Sequence, residues 1–578
     1  MKLSCLLLAF WAPFLLFSQT NLLHTNPLAD PILKGNYNGA QYASNVQAPL
    51  NPAILGADLA ARISVDSLKS YLFHLDTYKN RNTGSDTVSA FNGIGAARRW
   101  VYSKFENFSA AVNNRLVVSY FQFDQSICSV GRHRNIVAIL PGSDPLNNGV
   151  VILEGHIDSR CEVACDTACV AKGMEDNATG TALVMELTRV MSKYQYPQTI
   201  VFMITIGEEQ GLYGANAYAQ YATQNNIPVK AVLNNDVIGG IICGQTSSAP
   251  SCPGLNNVDS TSVRLFSSGN FNAKSKQLAR FIKLQYKENI LPTAAVPMNV
   301  RVMAPEDRTG RGGDHIPFRE KGFAAMRFTS ANEHGDASVG PTYTDRQHSS
   351  RDVLGLDTDA NTKIDSFFVD FNYLQRNASI NANAAAIAAR GVPAPPDFTG
   401  SRSGSTLNLS FNPPLGPNET LRIAERSTTN DWDTLFTVTG GNTASVPCNP
   451  TGGLFVSLAR VDAWGAESLF GIEKIIITSA VQDVATEEPN IRLFQNRPNP
   501  FDEATWISFW IENLPNYQKA SILISDMQGK LVQNIPFSLH QGLNETLYTH
   551  GYGVQGTFVY TLEIDGRIVD SRQMVFAN

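Results

Sequence analysis

Five places along the chain set acidic and histidine side chains at or just beyond short apolar or helix-starting segments. They read Val150-Val-Ile-Leu-Glu-Gly-His156-Ile-Asp158, Glu175-Asp176-Asn-Ala-Thr-Gly180, Gly207-Glu208-Glu209-Gln-Gly, Asn234-Asn-Asp236 and His348-Ser-Ser-Arg-Asp352. In an open α/β sheet the ligand crevice lies outside the carboxyl ends of the strands, so side chains delivered there by several strands converge. Mixed histidine and carboxylate donors suit zinc, which makes metal-assisted hydrolysis the first chemistry to consider. Each piece alone has a plainer reading. A His-x-Asp is often a buried histidine with its hydrogen-bond partner, an acidic pair ahead of a helix is favourable N-terminal charge, and Asp176 could be a helix cap, as could Asn177 or Thr179. Five metal-competent side chains within one region outweigh those separate explanations.

The elements that must position them follow from the hydrophobic pattern. Val150 to Leu153, Thr199 to Ile206 and Val229 to Leu233 are short apolar runs suited to buried parallel strands. Helical spacing appears in Leu183, Leu187, Val190, Met191 and Tyr194, and again in Leu278, Phe281, Ile282 and Tyr286. Strands alternating with helices predict an α/β domain, a sheet with helices on both faces. Gly391-Val-Pro-Ala-Pro-Pro396 breaks the pattern as a stiff linker. Beyond it the chain turns to short strands such as Leu407 to Phe411, Leu421 to Ile423 and Phe455 to Leu458. A second linker, Gln482 to Pro489, precedes further strands at Trp506 to Ile511, Ile522 to Ile524 and Thr557 to Ile564, with turns at Asp526 to Gly529 and Asp565-Gly566. Two small all-β sandwich domains are therefore expected after the α/β domain.

The order His156, Asp176, Glu208-Glu209, Asp236, His348, with its flanking residues, resembles the zinc peptidases of family M28. Gly155-His-Ile-Asp-Ser159, Asp176-Asn-Ala-Thr-Gly180, Gly207 to Ala215, Asn235-Asp-Val-Ile-Gly239, Gly313-Asp-His-Ile-Pro-Phe318 and His348 to Asp352 carry the resemblance. Gly313 stands where that family commonly has Ser. The resemblance implies a zinc-exopeptidase-like sheet over residues 66–390 and two zinc ions per chain. Asp176 would bridge them, with His156 and Asp236 on one and Glu209 and His348 on the other. Glu208 would then be the general base, and Asp158 would accept a hydrogen bond from the second ring nitrogen of His156. Asp314 and His315 are expected close to the pocket, behind the ligands. Aminopeptidase action on peptide substrates is the leading expectation. A single-zinc glutaminyl-peptide cyclase and a non-catalytic adhesion or receptor protein are the alternatives, and the presence of every expected ligand together with Glu208 speaks against both. Specificity pockets are expected to be lined by apolar loop residues.

The segments after residue 390 carry resemblances of their own. Phe411-Asn-Pro-Pro414, Trp432 and Val461 to Ser468 resemble a fibronectin type III domain over 391–478. Leu493-Phe-Gln-Asn-Arg-Pro-Asn-Pro-Phe501, the Asp526 to Gly529 turn and Gln573-Met-Val-Phe576 resemble the type A C-terminal sorting domain of the type IX secretion system over 491–578, following a linker at 479–490. That likeness implies the type IX machinery as partner and a secreted or cell-surface location outside the outer membrane of a Bacteroidota-type bacterium.

The remaining composition agrees with export. Lys2 and the apolar run Leu3 to Phe17 form a secretory signal peptide, 1–19, too short for a membrane span, so no transmembrane segment is expected. Residues 20–65 form an N-terminal segment that is a candidate propeptide. A net charge of -6 without a Lys/Arg run points away from nucleic acid. Seven of the eight cysteines lie beyond the signal, so at least one lacks a partner within the chain. Cys243 and Cys252 are the best bridge. Cys161, Cys165 and Cys169 lack the spacing of common zinc sites and are expected to serve structural bridging.

Overall fold

The computed structural model describes residues 19–247, 252–268, 273–308, 311–426, 431–449, 454–476, 491–501, 504–526, 530–550 and 556–576. The expected signal peptide through Ser18, the linker Gln482 to Pro489 and the Met527 to Gly529 part of one turn lie outside these residues.

The α/β domain is built on a nine-stranded mixed sheet. Its strands are β1 (Thr20–His24), β2 (Val117–Ile127), β3 (Val130–Leu140), β4 (Val150–His156), β5 (Thr199–Thr205), β6 (Val229–Asn235), β7 (Ser262–Phe266), β8 (Asn299–Val302) and β9 (Ala325–Ser330), in spatial order β1-β2-β3-β5-β4-β6-β9-β7-β8. The central β5-β4-β6-β9 are mutually parallel, while β2 and β3 pair antiparallel to each other and to their neighbours. All residues of β4 and β5 are buried, because helices cover both faces, and this is why those strands read as unbroken apolar runs. Helices Gly93–Ala110, Thr179–Met191 and Phe371–Ala388 form one packed group, and Tyr213–Gln224 packs with His315–Glu320 in another.

Residues 20–65 are integral to this domain. β1 extends the sheet edge beside β2, and helix Pro52–Arg62 packs on Phe371–Ala388 with Leu55 and Leu59 in the core. Its start is fixed by Asn51, whose side chain accepts from the amides of Ala53 and Ile54 ahead of Pro52.

A two-stranded hairpin, β10 (Gly355–Leu356) with β11 (Ser366–Phe367), precedes the last helix. The first β domain then comprises β12 (Asp397–Ser403), β13 (Thr406–Arg426), β14 (Thr434–Pro447), β15 (Leu454–Val461) and β16 (Lys474–Ile476). The first part of β13 pairs with β12 and the end of β14. Its second part pairs with β15 and the start of β14, so two arms close over one core of Phe398, Leu409, Phe411, Ile423, Val456 and Ile476. The last domain sets a three-stranded sheet of β17 (Ile491–Leu493), β18 (Ala504–Ile511) and β21 (Gly542–Thr549) against a four-stranded one of β19 (Ala520–Asp526), β20 (Leu531–Pro536), β22 (Gly556–Ile564) and β23 (Arg567–Phe576). Asp565 and Gly566, both at positive φ, make the two-residue turn between β22 and β23.

The Pro-rich stretch 391–396 does not hold the first β domain away from the core of the α/β domain. Ala424, Ala459, Ala466 and Phe470 join the core of the α/β domain, and Gln277 and Gln285 on helix Lys274–Asn289 donate to Gly471 O (2.9 Å) and Glu467 Oε2 (2.7 Å). Among the described residues three disulfides form, Cys128–Cys165, Cys161–Cys169 and Cys243–Cys252, leaving Cys448 free. No described helix is long and apolar enough to cross a membrane.

Candidate metal centre

The site forms where the parallel strands end. His156 is the last residue of β4, Asp236 follows β6 directly, and Glu208 and Glu209 follow β5 after Gly207, whose φ of 77° makes the turn. Asp176 sits ahead of helix Thr179–Met191, at a cis peptide to Asn177. The start of that helix presses on β6 so closely that a Cβ at Gly180 would stand 2.1 Å from Asn235 O, a contact only glycine permits. His348 lies in the loop beyond β9 with φ 56°, a conformation uncommon for a non-glycine residue and typical of a side chain constrained for function.

The structure brings His156, Asp176, Glu209, Asp236 and His348 together in two donor groups that share Asp176. His156 Nε2 is 3.3 Å from Asp176 Oδ1 and 3.4 Å from Asp236 Oδ1. His348 Nε2 is 3.2 Å from Asp176 Oδ2 and 3.1 Å from Glu209 Oε2. Glu208 Oε2 stands further out, 3.9 Å from His156 Nε2. Nearly all of this is buried, yet His156 Nε2 and Glu209 Oε1 have no hydrogen-bond partner. A cluster of desolvated carboxylates with an unsatisfied imidazole nitrogen and an unsatisfied carboxylate oxygen is costly by itself and is relieved by divalent cations, so this donor set fits zinc.

The charges show the same pressure. Burial pushes His156 down, but Glu208, Asp236, Asp158 and Asp176 prevail and hold it well above the usual histidine range. His348 behaves alike, with Glu209, Asp176 and Asp336 overcoming burial. Burial pushes Asp176 up, and the two histidines bring it well below the carboxylate norm. Burial raises Glu208 far above its ordinary value, against the pull of His156 and with the help of Asp236, Asp314 and Glu209.

Asp158 takes a different place from the one expected. His156 Nδ1 donates to the main-chain carbonyl of Asp158 at 3.1 Å, while the carboxylate lies 3.6 Å away. That carboxylate instead accepts from the amides of Glu208 (3.4 Å) and Glu209 (3.2 Å) and from Thr83 Oγ1 (3.1 Å). The amides that follow β5 point at it, so it orients the Glu208-Glu209 corner. Asp314, hydrogen-bonded to Thr205 and raised by burial to about 7, and His315, lowered by burial to about 4, are buried one layer behind.

Several functional residues were not singled out by sequence. Asp352 accepts the amides of Glu175 (2.9 Å) and Asp176 (3.0 Å), fixing the bridging carboxylate. Its spacing four residues after His348 was the available signal. Asp336 Oδ1 lies 3.1 Å from His348 Nδ1. Arg160 reaches Glu209 Oε2 (3.0 Å) and His348 Nδ1 (2.7 Å). Arg327 binds Asp236 Oδ2 (3.1 Å) and Asp307 Oδ2 (3.0 Å), and it was visible as a charge inside the buried strand β9. Its side chain passes 3.1 Å from where a Cβ on Gly313 would stand, a tight but adjustable contact. The cavity over the metal donors, about 280 Å³, is also not the apolar pocket expected. Arg160, Arg308, Arg311 and Arg327 line it, with Leu212 the one apolar side chain beyond glycine among the described residues.

A mixed α/β sheet with converging histidine and carboxylate donors at its strand ends is the arrangement of a metal-dependent hydrolase. Residues 135–371 match peptidase family M28. A probable zinc metalloprotease of Leptosphaeria maculans is 30% identical over 335 residues, covering 56% of this chain and 74% of the relative. One from Pyricularia oryzae is 31% identical over 377 residues, covering 62% and 71%. Among solved structures, the LapA aminopeptidase of Legionella pneumophila aligns with a TM-score of 0.40 and 20% identity over 57% of this chain and 73% of that one. The chain belongs to peptidase family M28 and is a zinc metallopeptidase.

Proposed function

We propose that the protein is a dizinc aminopeptidase that removes N-terminal residues from peptides. The observation carrying this reading is the pair of donor groups sharing Asp176, which leaves Glu208 beside the ligands without needing it as one. His156, Asp176 and Asp236 would hold one ion, and Asp176, Glu209 and His348 the other. Bound there, the ions supply Lewis-acid polarisation of the scissile carbonyl and acidify a water. Glu208, kept basic-leaning by burial and its acidic neighbours, takes the proton of the attacking water on a carboxylate oxygen and returns it to the departing amine. The water oxygen ends on the carbonyl carbon as the C–N bond breaks. Asp158 holds the Glu208 amide, and Asp336 and the Asp158 carbonyl orient the two imidazoles.

Metal analysis of the dialysed chain beside Asp236→Ala tests this: two zinc ions falling to one or fewer are expected. A single ion in both proteins would favour the glutaminyl-peptide cyclase reading. Product analysis on free and end-blocked peptides then separates amino-terminal from carboxy-terminal attack.

For location we propose export through the type IX system, with the 391–478 segment as a fibronectin type III-like domain. Supporting this, the two sequence stretches that resemble the sorting domain meet in space. Phe501 N donates to Val575 O (2.9 Å), Gln495 Nε2 to Gln573 O (2.6 Å), and Val575 N to Asn499 Oδ1 (2.8 Å). Fractionating cells that make the protein with and without residues 490–578 checks the idea. The truncated protein is expected to stay in the periplasm, and unaltered delivery to the surface or medium would refute it.

A further inference from the structure

We infer that this metal site selects substrates bearing a carboxylate within one residue of the scissile bond; the inference rests on the peptidase reading above. The cavity over the metal donors is small beside the roughly 300–1,000 Å³ common for drug-sized ligands, so about one residue's side chain or terminus fits against it. Its walls set four guanidinium groups against four carboxylates, Asp176, Glu208, Glu209 and Asp236. Three of those carboxylates belong to the proposed metal ligands. Once they serve two divalent cations, Glu208 is the one lining carboxylate left to face the four arginines among the described residues, and the balance of charge at the cavity turns positive.

Arg160 shows this most directly. Its two side-chain partners here are Glu209 Oε2 and His348 Nδ1. A Glu209 carboxylate engaged with a cation is a poorer acceptor. A His348 that ligates through Nε2 carries its proton on Nδ1, facing Asp336 at 3.1 Å, and cannot accept from Arg160. Metal loading therefore weakens both side-chain contacts of Arg160, leaving Nη1 on the Cys161 and Glu162 carbonyls (3.4 and 3.2 Å) and the Nε–Nη2 edge available at the cavity wall. Across the cavity Arg311, partly exposed, is backed by Asp336 at 3.4 Å, and buried Arg308 is backed by Asp307 and Glu333. Those acids orient the two arginines from behind. Guanidinium groups present paired donors matched to a carboxylate, and a wall built of them would strip water from an apolar side chain without replacing it. The carboxylate can come from an N-terminal Asp or Glu side chain or from the free C-terminus of a dipeptide.

The test uses the zinc-loaded full chain and two matched pairs: glutamyl-alanine amide against glutaminyl-alanine amide, and alanyl-alanine against alanyl-alanine amide. In one pair the carboxylate-bearing peptide should show kcat/KM higher by about tenfold or more, as expected for a charge-assisted contact. Arg311→Gln and Arg160→Gln should pull that ratio towards one mainly through KM, with Arg311→Lys recovering part of it. Ratios near one in both pairs, while the peptides are cleaved, overturn the inference and leave the peptidase reading intact. If no peptide is cleaved, the aminopeptidase reading falls, and calorimetric titration of the zinc-loaded chain decides the rest. Tighter binding of glutamate than glutamine, or of alanyl-alanine than its amide, upholds carboxylate recognition, and equal binding in both comparisons refutes it.

Discussion

Two buried clusters of charge in this molecule are built from the same kinds of side chain and behave oppositely. At the junction between the α/β domain and the first β domain, Glu473 is fully buried and accepts from Arg280 Nη1 (2.9 Å) and from Arg426 Nε and Nη2 (2.9 and 2.7 Å). Burial alone would raise it, but the two guanidiniums hold it below the usual carboxylate range, so both of its oxygens are ionised and engaged. At the strand ends, by contrast, carboxylates crowd two imidazoles, and His156 Nε2 and Glu209 Oε1 are left without hydrogen bonds. A carboxylate with both oxygens engaged by guanidiniums, as in Glu473, helps fix how domains sit; an open cluster of carboxylates crowded on imidazoles at a crevice marks where cations belong. The Asp352, Asp158 and Asp336 contacts show that the open cluster is not loosely built. Its donors are held firmly in a geometry that the chain alone leaves unsatisfied.

The largest effect should come from challenging the open cluster with a chelator. Removal of zinc is expected to abolish peptidase activity and to lower the thermal midpoint, since ions that bind only the folded state stabilise it by mass action. Added zinc should restore both, and activity that survives exhaustive chelation with no metal detectable would break the contrast. Next in size, Glu208→Gln should cut turnover by about a hundredfold or more while both ions remain bound. Glu209→Gln should instead lose metal. Equal metal loss in the two variants, read by elemental analysis, would erase the separate roles of these neighbours.

How far these clusters could be read in advance differs for physical reasons. The parallel centre of the sheet was legible because strands buried on both faces carry apolar runs such as Val150–Leu153 and Thr199–Ile206, and the five ligand-type residues and Glu208 were legible as acidic and histidine side chains just beyond such runs or in short motifs of their own. The antiparallel strands β1 to β3 were not, since Thr20–His24 and Val117–Ile127 carry no turn that announces pairing across almost a hundred residues. Arg160 and Asp336 were hidden because their function depends on contacts at sequence separations of 49 and 12 residues, to Glu209 and His348 respectively, made by loops without a pattern. The docking of the β domain was missed for a further reason. A Pro-rich stretch marks a break in secondary structure, but it says nothing about whether Glu467, Glu473 and Arg422 beyond it find partners on helix Lys274–Asn289.

The Glu473 cluster makes the opposite forecast from the metal centre. Glu473→Ala leaves Arg280 and Arg426 buried beside each other without their shared acceptor, and removing one partner of a buried pair costs about 3–5 kcal/mol. The loss should appear as lowered stability in chemical denaturation, while zinc content and the KM of the remaining folded enzyme stay near those of the parent. A change in metal stoichiometry would mean that the two clusters are coupled.

Truncation should give the smallest effect and the sharpest view of the junction. The last domain reaches the same place through Arg497, whose guanidinium lies 4.8 Å from the centre of the Phe455 ring and close enough to Arg426 and Glu473 to feel their charges. Removing residues 490–578 withdraws Arg497 together with Glu545, which lies 3.9 Å from it, leaves Glu473 paired with Arg280 and Arg426, and uncovers Phe455. Because the catalytic domain has its own core and the strand ends lie in a different part of the sheet, peptide hydrolysis should persist at near-parental kcat/KM. The thermal midpoint should fall by only a few degrees, the shift that about 1 kcal/mol produces in a protein of this size. Scanning calorimetry with parallel kinetics on the zinc-loaded truncated chain measures both. Loss of activity without loss of zinc would show that the terminal domain acts on the catalytic site, and no change in midpoint would show that its contact with Phe455 carries no stability.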